Sequence, residues 1–151
     1  MNKKTENNKY EQLKLKNQLC FPLYAASRQI VNLYTPVLKP LGITYTQYIV
    51  FMVLWEQDGI TMSELGAKLY LNNGTLTPLI KKMEQDGFIS RKRDPNDERI
   101  VRLYLTEKGL SFREKAVDIP YQVGACVNIG KTEADALYKL LYSILDASKN
   151  K

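Results

Sequence analysis

The chain of 151 residues contains no histidine, and its two cysteines, Cys20 and Cys126, lie 106 positions apart (126 − 20). Without histidine, a Cys–His pair or a Ser–His–Asp triad is impossible. Without a CxxC pair, a zinc site has no sequence support. No glycine-rich phosphate loop is present. No apolar run approaches the roughly 20 residues that span a bilayer, so no membrane contact is expected. The start, "MNKKTENNKYEQ", is polar and has no apolar core of the kind a signal peptide needs. These absences lead to the expectation of a cytoplasmic protein that is not an enzyme and carries no metal or cofactor. Its two cysteines are then free thiols rather than a structural staple.

What is present is a positive balance, +6 at neutral pH, in a chain that is 44% hydrophobic and 25% charged. The length fits one domain with a real core. The charge fits a negatively charged partner, nucleic acid first.

Apolar periodicity is helical nearly throughout. Residues 9 to 34 carry Leu13, Leu15, Leu19, Leu23, Ala26, Ile30 and Leu33 at mostly helical spacing. Pro22 within that run either kinks the helix or marks a break just before it, and Thr35–Pro36 through Gly42 closes it. Residues 44 to 59 read as a buried helix with Thr44 or Thr46 as cap and Asp58–Gly59 as stop. Thr61 and Glu64 form a capping box for a helix over 61 to 71. The next helix, 72 to 87, starts on asparagines, and Pro78 predicts an irregular first turn. From 88 to 105 the period changes to two around "DPND", a hairpin with Val101, Leu103 and Leu105 on one face. A helix capped by Thr106 and kinked near Pro120 follows, then an amphipathic helix over 131 to 149 capped by Thr132.

A helix pair followed by a basic hairpin is the layout of a winged helix-turn-helix, mainly α with a small β wing. The recognition helix would offer Asn72, Asn73, Thr75 and Thr77 to base edges or phosphates, with Lys81 and Lys82 behind them. The wing would offer Arg91, Lys92, Arg93, Arg99 and Arg102 among Asp94, Asp97 and Glu98. A solvated charged hairpin is the alternative, disfavoured by the capped helix pair before it. The core spans about 43–105. The flanks, 9–38 and 106–149, are more apolar than such a core needs, and Tyr138, Leu141, Tyr142 and Leu145 form a stripe that suits a homodimer on an inverted-repeat duplex.

The segments "NQLCFPLYAASR", "LYLNNGTLTPLIKKME" and "SRKRDPNDERIVRLYLTEKG" resemble the MarR transcription factors, and more narrowly their organic hydroperoxide resistance branch. The resemblance covers about residues 13 to 120, and more weakly the rest. It implies a repressor that binds its operator when Cys20 is reduced and leaves it when an organic hydroperoxide oxidises that thiol. It places the two tyrosines that hydrogen-bond the thiolate at Tyr34 and Tyr45. In the wing it implies that Arg99 enters the minor groove and Asp97 holds it. Cys126 falls where two-cysteine members carry a cysteine that resolves the oxidised first one across the dimer; the alternative is a small apolar residue on a buried helix. Where this branch often reads "LDSGT", the chain reads "LNNGT", one negative charge fewer near the phosphates. Two other readings remain: a repressor of the same family switched by a non-covalent small molecule, and a thiol peroxidase. The second has no basic residue immediately beside Cys20 to support it.

Overall fold

Three threonines and an asparagine set the helix starts. Thr44, Thr61, Asn72 and Thr106 sit in extended backbone, and each side chain accepts the N–H three residues on, from Gln47, Glu64, Thr75 and Gly109. At Thr44 and Thr61 the Gln47 and Glu64 side chains accept the cap residue's own N–H in return, at 2.9 and 2.7 Å. Such caps contribute about 1 kcal/mol each. The computed structural model describes residues 9–149, with the Lys149 side chain excepted. The elements are α1 (Cys20–Leu38), α2 (Tyr45–Glu56), β1 (Ile60–Thr61), α3 (Met62–Leu69), α4 (Asn73–Gln85), β2 (Ile89–Arg93), β3 (Val101–Leu105), α5 (Glu107–Ala116), α6 (Ile119–Gly124) and α7 (Lys131–Lys149). Among the described residues no single helix is long and apolar enough to cross a membrane.

The strands form one antiparallel sheet in the order β1-β3-β2. Ile60 pairs with Leu103 and Ile89 with Leu105, so the inward face is apolar and buried. Beneath it Phe51 packs against Trp55, Phe88 and Phe112 at ring separations of 5.0–5.3 Å. Trp55 Nε1 donates to the Gly109 carbonyl at 3.1 Å. Leu54, Leu65, Leu76, Ile80 and Met83 complete this core, all at most 1% exposed. The chain divides into two compact units, the first ending at Ile119 and the second starting at Pro120.

Several expectations need correction. The continuous helix read over residues 9 to 34 is interrupted: after helical Lys9, Glu11–Leu13 and Leu15–Asn17 are single 3-10 turns parted by extended Lys14, and α1 begins at Cys20. Leu13, Leu15 and Leu19 are 57–79% exposed, so no packed face holds a helix there. Pro22 falls in the first turn of α1, where its missing N–H has no partner to lose. The expected close over Thr35–Gly42 holds, although Pro36 itself lies inside the helix: α1 ends at the buried Leu38, a 3-10 turn over Lys39–Leu41 follows, and Gly42 at φ +74° ends it. Pro78 does not disturb the first turn of α4; the carbonyl it leaves unpaired is that of exposed Gly74. The helix read through Pro120 is two helices. A proline ring opposes the carbonyl four residues back, and that residue, Ala116, is the last of α5. Thr132 is inside α7 rather than its cap, because the helix already begins at Lys131.

Candidate nucleic-acid interface and thiol site

Helices α3 and α4 are joined by a tight turn in which Tyr70 adopts φ +55° and Leu71 N–H donates to the Gly66 carbonyl. Gly66 is required here: a Cβ would lie 2.7 Å from the Leu71 carbonyl. The turn leaves the start of α4 exposed, with Asn72, Asn73, Thr75 and Thr77 all at the surface. Asn72 spends its side-chain oxygen on capping Thr75 N–H at 2.9 Å. Thr77 donates its hydroxyl to the Asn73 carbonyl at 2.7 Å. Lys82 pairs with Asp86 at 2.8 Å, whereas Lys81 is exposed with no ion pair among the described residues.

In the wing, Arg91 reaches back to Glu84 on α4 at 2.6 Å, which holds the Glu84 carboxyl below its usual range. Arg93 donates to the Glu98 carbonyl at 2.8 Å across the turn of residues 94–100. Asp97 accepts the backbone N–H of Arg99 at 3.1 Å and both Nε and Nη2 of its guanidinium at 3.0 Å. The Arg99 side chain is nonetheless 90% exposed, a fixed cation standing off the tip. Arg99 first through its side chain, then through its N–H, keeps the Asp97 carboxyl below its ordinary range. The structure therefore brings Asp97 and Arg99 together, but engages Arg91 and Arg93 in holding the hairpin to α4 and closing its turn.

Sequence reasoning missed two features. One is β1, whose two residues carry no period to read. The other is a second carboxylate–guanidinium pair, Asp94 with Arg102, below the wing tip. An aspartate and an arginine flanking the turn were visible, but their register was not.

Cys20 is the first residue of α1 and is exposed. Fourteen residues of unbroken helix place Tyr34 about 21 Å away along the axis, so the two do not meet within one subunit. Tyr34 and Tyr45 do come together, with ring centroids 4.7 Å apart, and Tyr48 lies 5.9 Å from Tyr34. Burial, then the Tyr34 phenol, raises the Tyr45 hydroxyl above its ordinary value. Beside Tyr45 a cavity of about 540 Å³ is lined by Val31, Thr35, Leu38 and Ile43. Cys126 follows α6, is exposed, and approaches the Gln122 carbonyl at 3.5 Å.

A capped helix pair, an exposed recognition helix and a three-stranded wing with a held arginine define a winged helix-turn-helix DNA-binding protein. The family of transcriptional regulators SarA/Rot matches residues 32–116. The organic hydroperoxide resistance transcriptional regulator of Bacillus subtilis is 46% identical over 95% of this chain and 98% of its own length. The chain belongs to the MarR family of transcriptional regulators, in its organic hydroperoxide resistance branch. AbfR, known from Staphylococcus epidermidis, is 35% identical. Its reduced form bound to DNA superposes with a TM-score of 0.75 over 93% of this chain and 99% of that one. Its disulfide form superposes less closely, with a TM-score of 0.63 over 93% of this chain and 98% of that one.

Proposed function

We propose that this protein is a redox-sensing repressor: reduced Cys20 permits operator binding, and oxidation by an organic hydroperoxide releases the DNA. The observation that carries this reading is the separation within one subunit. The Tyr34 and Tyr45 hydroxyl-bearing rings stand together, while Cys20 is exposed at the far end of α1. Exposed apolar residues flank it along the chain, Leu19 at 79% and Tyr24 at 59%. A second copy supplies what one subunit lacks, its Cys20 reaching this subunit's tyrosines. The same dimer covers apolar side chains that each subunit leaves bare, Tyr138 at 62% and Leu140 at 63% among them. The thiolate attacks the terminal, hydroxyl-bearing oxygen of the hydroperoxide; the S–O bond forms as the O–O bond breaks, giving sulfenic acid and an alkoxide that takes up a proton and leaves as the alcohol. Apolar walls suit an organic peroxide better than hydrogen peroxide. Condensation of the sulfenic acid with Cys126 or a small thiol releases water and forms a disulfide, and the strained interface moves the two α4 helices off register.

Helix α4 enters the major groove, with Asn72, Asn73, Thr75 and Thr77 toward bases or phosphates and Lys81 and Lys82 toward phosphates. The wing offers Arg91, Arg93, Asp97 and Arg99 to the backbone and minor groove. The test is kinetic. Tyr34→Phe and Tyr45→Phe should each slow oxidation of Cys20 by cumene hydroperoxide, by about tenfold for one lost hydrogen bond to a charged group, while the reduced variants still bind a duplex the wild type selects from a random pool. Unchanged rates in both variants would refute the assignment. The cavity beside Tyr45 favours a second reading, a small molecule bound without covalent chemistry, since its volume lies in the range of ligand pockets. Rapid labelling of Cys20 near neutral pH separates the first reading from this one.

A further inference from the structure

Arg102 occupies an unfavourable position. It lies on β3, the middle strand, directly opposite Lys92 on β2 and Thr61 on β1. Like charges paired across strands are destabilising. Its side chain is only 34% exposed, and its guanidinium is bonded to two other segments of the chain. Nε donates to Asp94 Oδ2, and Nη1 donates to the Gly59 carbonyl at 2.9 Å.

Both partners are joints of the fold. Gly59, at φ +76°, links α2 to β1 and so to the entry of the helix pair. Asp94 is 7% exposed and organises the wing turn. Its Oδ1 accepts Asn96 N–H at 2.8 Å, its N–H donates to the Ile100 carbonyl at 2.9 Å, and Ile100 N–H donates to the Asp97 carbonyl at 2.9 Å. Asp97 then holds Arg99. A continuous set of bonds thus runs from the Gly59 carbonyl through Arg102, Asp94 and the turn to the Arg99 guanidinium. Pro95, Asn96, Glu98 and Arg99 are all exposed, so the tip has little packing of its own to fix it. One planar guanidinium serves two acceptors in different directions, which a lysine ammonium on a flexible stem does poorly.

We propose that Arg102 is a positioning residue for DNA binding: it sets the wing tip, and with it Arg99, relative to the helix pair, and does so without touching DNA. A tip ordered before binding loses less conformational freedom on the duplex. This inference rests on the DNA-binding reading above.

The test is a double-mutant cycle on the reduced full chain, using the duplex selected by the wild type. Arg102→Met should weaken binding about tenfold in the wild-type background and less than about twofold when Arg99→Ala is already present, because the residues act as one unit. Arg102→Lys should be impaired nearly as much as Arg102→Met, although it keeps the charge. The salt dependence should be unchanged by Arg102→Met. Equal losses with and without Arg99 would overturn the proposal, as would full rescue by Arg102→Lys. A salt slope lower by about 0.9 per subunit would overturn it too, by marking a direct phosphate contact. If Arg102→Met fails to fold, Asp94→Asn enters the same cycle from the other side of the pair and should show the same coupling to Arg99; additivity there would overturn the proposal equally. A wild type that selects no duplex would refute the DNA-binding reading itself, a result distinct from any of these.

Discussion

Replacing Lys81 by alanine should flatten the salt dependence of DNA binding by an amount that follows from the ion-pair geometry. On each subunit Lys82 is paired with Asp86 and Arg91 with Glu84. Lys81, Lys92 and Arg93 have no carboxylate partner among the described residues, and Arg99, though held by Asp97, stands 90% exposed. About four cations per subunit are therefore available without breaking an ion pair, or about eight in a dimer; Lys82 and Arg91 exchange a carboxylate for a phosphate and add little net neutralisation. Each neutralised phosphate contributes roughly 0.9 to the slope of log affinity against log salt, so the wild-type slope should be about −7. Between 50 and 200 mM salt that is a loss of about 10⁴-fold in affinity. Lys81→Ala removes two contacts per dimer, lowers the slope by about 1.8, and reduces the loss over that interval about tenfold. Fluorescence anisotropy with the selected duplex across five salt concentrations measures this directly. Lys139→Ala, an exposed lysine of α7, serves as the control and should leave the slope unchanged. An unchanged slope in Lys81→Ala, or an equal drop in Lys139→Ala, would refute the placement of α4 on the phosphate backbone.

Three other outcomes are expected. Arg99→Ala should weaken operator binding about ten- to a hundredfold, with an unshifted melting temperature because the side chain is exposed; wild-type binding would show that the wing does not reach DNA. Oxidised wild type should run as a covalent dimer on a non-reducing gel, and Cys126→Ser should abolish that band while Cys20 still reacts; a wild type that stays single yet leaves the DNA would remove Cys126 from the mechanism. Gly109→Ala should destabilise the fold by about 2–3 kcal/mol, because a Cβ there would lie 2.2 Å from the Phe88 carbonyl and 2.9 Å from Leu105 Cδ2. For a chain of this size that lowers the melting temperature by about 4–12 °C, and calorimetry showing no change would contradict the packing.

Much of the fold was legible because the interactions that set it are local. Thr44, Thr61, Asn72 and Thr106 bond the N–H three residues on, so a short window of sequence already contains both partners. The wing strands announce themselves by a period of two, and the Asp97–Arg99 contact spans two residues. At the candidate site the sequence shows the residue types at the start of α4 and in the wing, the two cysteines and both tyrosines. What the residues do to one another was settled at longer range. Helix α1 begins at Cys20 because packing, not periodicity, decides whether an apolar stretch stays helical, and Leu13, Leu15 and Leu19 stay exposed among the described residues. Tyr34 meets Tyr45 only because the chain turns at Gly42, after α1, and α2 packs back against α1. β1 exists only because β3 offers it a ladder edge. Arg102 shows the division most plainly: its charge could be read from the chain, but its Gly59 acceptor is 43 residues distant, and only the register of three strands brings the two within 2.9 Å.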